Sequence, residues 1–333
     1  MSEKRQMQAV KIESFGDPGQ LTIGQWPMPA PAPRELLVQV AATALNRADT
    51  LQRQGKYPPP SGESPLLGLE MAGTVVETGS EVARWKTGDR VCGLLGGGGY
   101  AQYAAIHEEM AMRIPDELSF EQAAAIPEVW LTAYQALRWL AGFQAEEWLL
   151  IHAGASGVGT AAIQLARQMK AGKILVTASA PKHDICRELG ADLAIDYQNK
   201  DFKKAVFDYS NERGVDVVID FIGAPYFQRN LNVLRTDGRL VMLALMGGVQ
   251  PDSLSLGPIL RKRLQVTGST LRARSLEYKI KLTQAFSTFA WPLFQSGYLR
   301  PVIDRVFDWR DVVAAHEYME ANKNKGKIIL QVK

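Results

Sequence analysis

The segment from Trp148 to Ala166 restricts the fold of this chain more than any other. An apolar run over 148–151 is long enough for a buried strand, glycines follow at 154, 157 and 159, and apolar residues recur at helical spacing from Thr160 onward. Strand, glycine turn and helix in this order form the loop that cradles a phosphate. The glycines let the backbone approach the anion, and the first N–H groups of the helix face it.

The glycines alone leave two interpretations open. Their spacing is G-x-x-G-x-G instead of the commoner G-x-G-x-x-G, so an ordinary strand-to-helix turn is an equal alternative on this evidence. The segment Ile174–Ala178 then predicts a second strand. Strand, helix and strand together span about thirty residues, the length of a dinucleotide-binding unit. A nucleotide site is therefore the favoured interpretation.

Composition argues against several classes of protein. The length of 333 residues favours two domains, and 46% hydrophobic with 22% charged residues is typical of a soluble globular chain. A net charge of +3, spread along the chain, argues against nucleic acid or a membrane surface as partner. No apolar run reaches the roughly eighteen residues of a spanning helix, and the N-terminal stretch lacks a secretory signal. Two cysteines, Cys92 and Cys186, fit a reducing cytoplasm.

The two halves of the chain differ in the secondary structure that their sequences predict. Up to about residue 107, short strands separated by Gly, Pro and Asp turns predict a barrel-like β unit. Ser119 and Gln122 have the spacing of a capping box, which predicts a helix start. Aliphatic strands without alternation then predict a doubly wound parallel sheet of six strands; they lie at 148–152, 174–178, 193–196, 215–220, 239–244 and 264–269. A helix over 276–294 and strands near 301–309 and 326–332 follow.

Several blocks resemble the medium-chain dehydrogenase/reductase superfamily, and the likeness runs from about residue 8 to 332. They are Ala123–Thr132, His152–Gln164 and Asn322–Ile329. Within its zinc-free, zeta-crystallin-like quinone oxidoreductase branch, Leu45–Asp49, Gln54–Pro60 and Asn322–Lys327 resemble the NADPH:quinone oxidoreductase subfamily induced by a tumour suppressor. The resemblance implies a GroES-like catalytic domain from 1–130 and 276–333, with a Rossmann NADPH-binding domain, 131–275, inserted. It also implies a cleft between them and a homodimer or homotetramer.

The zinc-dependent enzymes of this superfamily provide a test for metal. They hold zinc with a cysteine near the position of Asn46 and with the histidine of a Gly-His-Glu motif, whereas this chain has Asn46 and Gly68-Leu69-Glu70. One remaining carboxylate cannot make a tetrahedral site. We therefore expect no metal.

The choice of cofactor depends on the end of the second predicted strand. An NAD site places a carboxylate about twenty residues after the glycine turn. In this chain the stretch from Gly154 to His183 contains no Asp or Glu, and the first carboxylate after the turn is Asp184. Ser179 can donate to a phosphate and Lys182 can neutralise it. Tyr197 stands where the resembled family has a tyrosine that contacts the same phosphate. Taken alone, Lys182 is better explained as a solvated lysine at a helix start and Tyr197 as a surface aromatic, but together, and with the carboxylate missing, they favour NADPH.

The remaining site residues come from the glycine turn and from the resemblance. Tyr57, on a stiff loop before three prolines, is a candidate to stack a planar ring, although a loop-anchoring tyrosine is an equal alternative. Asn46 is the second candidate catalytic residue, as a hydrogen-bonding substitute for a metal ligand. His152 is interpreted as a packed imidazole. The predicted cofactor contacts are Asn46, Thr132, Gly154, Ser156, Gly157, Val158, Gly159, Ser179, Lys182, Tyr197, Phe221, Ile222, Leu245, Met246, Gly247 and Asn324.

The sequence therefore predicts a cytoplasmic, zinc-independent NADPH reductase that transfers hydride to a quinone or conjugated carbonyl. The cofactor carries the chemistry, and solvent could supply the proton to a stabilised anion. An alkenal or enoyl double-bond reductase is the alternative within enzymes. A non-catalytic NADPH-binding protein is the alternative outside them.

Overall fold

The computed structural model describes residues 5–333. The strands within these residues are β1 (Gln6–Ile12), β2 (Leu21–Pro27), β3 (Glu35–Ala44), β4 (Glu70–Thr78), β5 (Arg90–Leu94), β6 (Tyr103–His107), β7 (Ala111–Arg113), β8 (Trp148–Ile151), β9 (Lys173–Ala178), β10 (Leu193–Asp196), β11 (Val215–Asp220), β12 (Leu234–Met242), β13 (Gln265–Gly268), β14 (Ile303–Asp308) and β15 (Lys327–Gln331).

The α-helices alternate with these strands. They are α1 (Arg47–Arg53), α2 (Phe120–Ala124), α3 (Pro127–Tyr134), α4 (Gly157–Gln168), α5 (His183–Glu188), α6 (Phe202–Ser210), α7 (Ala224–Val233), α8 (Gly257–Arg261), α9 (Leu276–Gln295) and α10 (Val312–Glu320). Helix α3 continues as a π-helix, Gln135–Leu140. No helix in the described part of the chain is long and apolar enough to cross a membrane.

The chain divides into two compact units. Unit 1 takes the chain up to Leu131 and again from Arg272 to Lys333, and unit 2 is Thr132–Leu271. Unit 1 is thus built from both ends of the chain, with unit 2 inserted in its sequence. The domain boundaries expected from the sequence, after 130 and after 275, remain a prediction.

Unit 2 contains the predicted six-stranded parallel sheet, with the order β10-β9-β8-β11-β12-β13. Its central strands are buried because helices cover both faces, and this explains their unbroken aliphatic runs. β12 begins at Leu234, earlier than the predicted 239, because an irregularity in its pairing with β11 separates Leu234 from Arg239. The α/β doubly wound sheet is the expected Rossmann arrangement.

Unit 1 is rich in β structure. Its main sheet has the order β14-β15-β3-β4-β5-β7, with β6 also paired to β3, and β1 and β2 form a separate antiparallel pair. Ser119 and Gln122 form the predicted capping box at the start of α2. Helix α1 was not predicted, because Arg47–Arg53 shows little apolar periodicity. The C-terminal strand β15 pairs with β3, which brings residues from the two ends of the sequence together.

Candidate functional site

The glycine turn of unit 2 has the geometry of a phosphate-binding loop. Ser156 caps α4, and its hydroxyl oxygen accepts the N–H of Gly159 at 3.0 Å. A side chain at Gly159 would place its Cβ 2.4 Å from the carbonyl oxygen of Ala153, and one at Gly154 would meet Val176 Cβ at 2.6 Å. The backbone of the turn therefore packs too closely for any other residue. The first N–H groups of α4 begin where the turn ends, as anion binding requires.

The carboxyl ends of β9 and β10 place two of the predicted residues side by side. Ala178 and Asp196 are partners in the parallel register, so Ser179 and Tyr197, the next residue of each strand, share one edge of the sheet. Tyr197 is 46% exposed, whereas Ser179 and Lys182 are half-buried. The short 3₁₀-helix Ala180–Lys182 follows Ser179 directly. Ser179 therefore takes the place where an NAD site has its carboxylate.

Two further predicted loops lie at the same edge and bond to each other. The N–H of Met246 donates to the carbonyl of Phe221 at 3.0 Å, and the N–H of Gly247 donates to the carbonyl of Ile222 at 2.8 Å. Leu245 and Met246 are about half exposed. These loops follow β11 and β12, at the end of a parallel sheet where ligands bind.

His152 is a packed imidazole, in agreement with the interpretation from the sequence. Nδ1 lies 3.0 Å from Thr177 Oγ1 and Nε2 lies 2.7 Å from Asn230 Oδ1. The ring is fully buried between Phe202 and Tyr226, with centroids 4.8 and 4.7 Å away. Burial lowers the pKa of His152 to about 4, so the ring is neutral at physiological pH.

The predicted site residues fall in both units. Asn46, Tyr57 and Asn324 belong to unit 1, whereas Thr132 and the residues of the glycine turn and strand ends belong to unit 2. Asn324 lies just before β15, and its Nδ2 donates to the carbonyl of Gly326 at 2.8 Å. Thr132 is half-buried on α3. Their proposed contacts with a cofactor remain predictions.

A buried polar network surrounds Asn46 in unit 1. Lys327 Nζ donates to Asn46 Oδ1 at 2.7 Å, to Glu70 Oε1 at 2.7 Å and to the carbonyl of Leu45 at 2.9 Å. Asn46 Nδ2 donates to the same Glu70 oxygen at 2.8 Å. Glu70 is fully buried and Lys327 is 4% exposed. The lysine therefore compensates a carboxylate that could not otherwise be buried as an anion.

Asp49 joins the network from α1. Its Oδ2 accepts the N–H of Asn46 at 2.8 Å, and its Oδ1 accepts the N–H of Gly68 at 3.0 Å. Burial raises the pKa of Asp49 to about 6, although both N–H groups and the charge of Lys327 favour the anion. Asp49 thus holds the start of α1 against the segment that leads into β4.

Glu128 enters from the first turn of α3. Its backbone N–H donates to Glu70 Oε2 at 2.8 Å. Its own Oε2 is shielded from solvent and has no hydrogen-bond partner among residues 5–333. Burial, followed by the negative charge of Glu70, raises the pKa of Glu128 to about 8. The Glu128 carboxyl is therefore mostly protonated near neutral pH.

Arg272 and Tyr57 complete this part of unit 1. The Arg272 guanidinium lies over the Tyr57 ring, 5.5 Å from its centroid, and its Nε donates to the carbonyl of Gly96 at 2.8 Å. Tyr57 is half-buried, and burial raises the pKa of its hydroxyl. The two Nη atoms of Arg272 are buried and make no hydrogen bond within the described chain. We refer to Asn46, Asp49, Glu70, Glu128, Arg272 and Lys327 as the polar network.

This donor set does not fit zinc. It offers an amide and carboxylates but neither thiolate nor imidazole, and the ammonium of Lys327 already bonds to both Asn46 and Glu70. Within residues 5–333 no group of three or more His, Cys, Asp or Glu side chains is arranged to hold a metal ion. The position next to Asn46 is therefore filled by a lysine cation.

Sequence reasoning assigned no role to Asp49, Glu128, Arg272 or Lys327. Two signals pointed toward them: Lys327 directly precedes the apolar run Ile328–Leu330, and Glu128 follows the proline that opens α3. Arg272 carried no signal, because only the fold brings it to Tyr57.

Comparison with known proteins agrees with this architecture. Residues 32–116 match the family described as alcohol dehydrogenase GroES-like domain, and residues 157–288 match the family described as zinc-binding dehydrogenase. The chain is 31% identical over 317 residues to the human synaptic vesicle membrane protein VAT-1 homolog, covering 91% of this chain and 80% of the relative. It is 32% identical to a quinone oxidoreductase of Pseudomonas aeruginosa, covering 96% of this chain and 98% of the relative.

Solved structures of related proteins have the same architecture. The CurK enoyl reductase superimposes with a TM-score of 0.88 at 28% identity, covering 99% of this chain and all of the other. The mycobacterial protein Rv1454c, solved with NADPH, superimposes with a TM-score of 0.85 at 28% identity, covering 98% of this chain and 99% of the other. The chain belongs to the medium-chain dehydrogenase/reductase superfamily, as an oxidoreductase with a GroES-like domain, a Rossmann domain and quinone oxidoreductases among its relatives.

Proposed function

We propose that this protein is an NADPH-dependent, zinc-independent reductase that transfers hydride to quinones. The observation that carries the choice of cofactor is the pairing of Ala178 with Asp196, which sets Ser179 beside Tyr197 at the end of β9. A hydroxyl and a phenol there can bind a ribose phosphate, and Lys182 can neutralise it. Bound NADPH would supply the hydride, and the protein's part is to hold and orient it.

Different residues of unit 2 are assigned to different parts of the cofactor. Gly154, Ser156, Gly157, Val158 and Gly159 surround the pyrophosphate at the start of α4. The loops that contain Phe221, Ile222, Leu245, Met246 and Gly247 lie at the same sheet edge and contact the remainder of the dinucleotide. Asn46, Tyr57, Thr132 and Asn324 serve the nicotinamide and the acceptor. The quinone oxidoreductase relative supports the choice of quinone as acceptor.

Two measurements test this proposal. Calorimetry with NADPH and NADH is expected to show tighter binding of NADPH, and absorbance at the nicotinamide band is expected to fall when benzoquinone or phenanthrenequinone is added. Equal affinity for the two dinucleotides would contradict the choice of cofactor. Tight NADPH binding without turnover on any acceptor would instead identify a non-catalytic binding protein.

A second candidate is an alkenal or enoyl double-bond reductase, because the CurK enoyl reductase shares the fold along its whole length. It uses the same hydride with a different acceptor. Hexenal, measured beside the two quinones, separates the candidates: activity with hexenal and none with quinones favours this second function. For either function we propose a cytoplasmic homodimer or homotetramer.

A further inference from the structure

The guanidinium of Arg272 has hydrogen-bond donors that no other residue of the described chain accepts. Its side chain is 5% exposed, one nitrogen is anchored to Gly96, and both Nη atoms are buried with no hydrogen-bond partner in the described chain. Leaving a buried guanidinium unsatisfied destabilises a fold. The planar fork matches an oxygen that carries negative charge, such as a carbonyl, a phenolate or a carboxylate. The free Nη atoms therefore point to an oxygen ligand.

Glu128 complements this donor. The charges that act on it come from four other segments of unit 1: Glu70 on β4, Lys327 on β15, Asp49 on α1, and Arg272 before α9. Glu70 and Asp49 favour its neutral form, and Lys327 and Arg272 oppose it. Together with burial, the balance leaves an acid group whose Oε2 has no partner in the described chain. A neutral carboxyl can donate a proton where a carboxylate can only accept one.

Arg272 and Glu128 are close enough to influence each other and the same aromatic ring. Burial lowers the pKa of Arg272, and the charge of Glu128 is among those that oppose this shift; burial raises the pKa of Glu128, and the charge of Arg272 opposes that rise. Both charges also act on the hydroxyl of Tyr57, over whose ring the guanidinium lies. Glu128 Oε2 and the two Nη atoms of Arg272 make no hydrogen bond within residues 5–333. Two polar groups of opposite role, each with a buried atom that has no hydrogen-bond partner in the described chain, therefore act on the Tyr57 side chain, over whose ring the guanidinium lies.

We propose that Arg272 and Glu128 form the oxygen-binding site for the acceptor: the guanidinium binds an oxygen of a quinone or conjugated carbonyl, and the Glu128 carboxyl gives that oxygen its proton. The inference rests on the proposed function and adds the source of the proton and the chemical class of the acceptor. It replaces the expectation that solvent supplies the proton directly.

The step balances in atoms and charge. Hydride from NADPH adds two electrons and one hydrogen to the acceptor and leaves one acceptor oxygen as an anion next to Arg272. The O–H bond of Glu128 breaks, a new O–H bond forms on that oxygen, and Glu128 remains as a carboxylate. Glu128 regains its proton from solvent only after the reduced acceptor has left, because its Oε2 is shielded from solvent in this structure. The sum is acceptor plus NADPH plus one proton giving reduced acceptor plus NADP⁺.

Glu128→Gln tests the proton transfer, because the amide keeps the shape but cannot donate an acid proton. With benzoquinone we expect kcat to fall about 100-fold. The wild-type kcat is expected to decline as the pH rises through about 8, and the variant is expected to lose this decline together with the solvent deuterium isotope effect. Glu277→Gln, which removes an exposed carboxylate from α9, is the matched control and is expected to keep the wild-type profile.

Arg272→Lys tests the binding of the oxygen, because it keeps the charge and removes the fork. We expect KM for benzoquinone to rise about tenfold or more, and calorimetric affinity for hydroquinone in the presence of NADP⁺ to fall in parallel. Arg274→Lys is the matched control: Arg274 lies over the ring of Tyr278 at 4.7 Å, two positions further along the chain. NADPH affinity measured on each variant reports whether its fold is intact.

The outcomes separate this inference from the proposed function. If wild-type protein binds no NADPH or reduces neither quinones nor hexenal, the proposed function fails before Glu128 is examined. If wild-type protein is active and Glu128→Gln keeps its kcat, its pH decline and its isotope effect, the inference is overturned while the function stands. Unchanged hydroquinone affinity in Arg272→Lys would overturn the assigned role of Arg272 in the same way.

Discussion

Lys327 Nζ lies 2.7 Å from Glu70 Oε1, and both side chains are almost completely buried. The two residues are 257 positions apart in the sequence, on β15 and β4. A buried ion pair depends on both partners, because removal of one leaves a charge without solvent or counter-ion. The pair therefore ties the C-terminal segment to the body of unit 1.

Lys327→Met is expected to destabilise the protein by about 3–5 kcal/mol, since it leaves Glu70 buried and uncompensated. Denaturant unfolding measures the change. The double variant Lys327→Met with Glu70→Gln is expected to recover part of the loss, because no unpaired charge remains. Lys281→Met, which breaks an exposed pair with Glu277 on α9, is expected to leave stability unchanged. Equal effects at both lysines would contradict this account.

Gly159→Ala is expected to weaken NADPH binding more than tenfold and to lower stability by about 1–3 kcal/mol. The added Cβ would lie 2.4 Å from Ala153 O and 2.6 Å from Gly154 O, and these backbone atoms must shift. Calorimetry and thermal unfolding measure the two effects. Gly16→Ala meets only Gln20 Cγ at 3.5 Å and is the control. Normal NADPH affinity in Gly159→Ala would show that the turn does not hold the cofactor.

Local sequence signals predicted unit 2 well and the polar network poorly. Aliphatic runs such as Trp148–Ile151 and Val215–Asp220 became the parallel strands, because strands buried on both faces must be apolar throughout. The capping box at Ser119 was equally readable. Helix α1 was missed, since Arg47–Arg53 owes its position to Asp49 bonds with Asn46 and Gly68 and not to an apolar stripe.

Local sequence patterns could not predict the polar network, because its members are far apart in the sequence. Lys327 bonds to Asn46 across 281 positions, and Glu128 bonds to Glu70 across 58. Asn46 was identified through the resemblance, but the ammonium beside it was not foreseen. Only the pairing of β15 with β3 brings Lys327 to Asn46. No rule based on residue spacing in a single sequence predicts this strand pairing.

Ser179→Asp is expected to reverse the choice of cofactor. A carboxylate at the end of β9 repels a ribose phosphate and accepts hydrogen bonds from ribose hydroxyls. We expect NADPH affinity to fall roughly 10–100-fold and NADH affinity to rise. Lys182→Ala is expected to weaken NADPH alone. Lys204→Ala, in an exposed pair with Asp208, is the control. A variant that still prefers NADPH as strongly as wild type would place the phosphate elsewhere.

The pKa of Glu128 also predicts how stability depends on pH. Its folded-state pKa is about 8 against an ordinary 4.5, so the folded state holds a proton that the unfolded state releases between these values. This contribution to stability is complete below pH 4.5 and is lost as the pH rises through 8. His152 acts in the opposite direction: its pKa falls from 6.5 to about 4, so its contribution is lost as the pH falls through that range.

Glu128→Gln is therefore expected to reduce the decline in unfolding free energy between pH 4.5 and 8, most clearly above pH 6, because Asp49, whose pKa burial raises to about 6, adds a decline of its own below that pH. Denaturant titrations across this range measure it. Glu277→Gln is the control, because the hydrogen bond from Lys281 holds the pKa of this exposed carboxylate below its ordinary value, so it adds no decline with rising pH. A decline that persists unchanged in Glu128→Gln would mean that another group takes up the proton.

The outer strand of the unit 2 sheet predicts how copies of this chain associate. β13 pairs with β12 in parallel and ends the sheet order, and its Val266 is 39% exposed. An edge with free N–H and C=O groups can pair with a second copy. We expect light scattering to show a dimer or tetramer, and Val266→Lys to reduce the mass because lysine on an edge strand opposes pairing. Val306→Lys, on β14 at the edge of the unit 1 sheet, is the matched control. If Val306→Lys dissociates the assembly and Val266→Lys does not, the interface belongs to the other sheet.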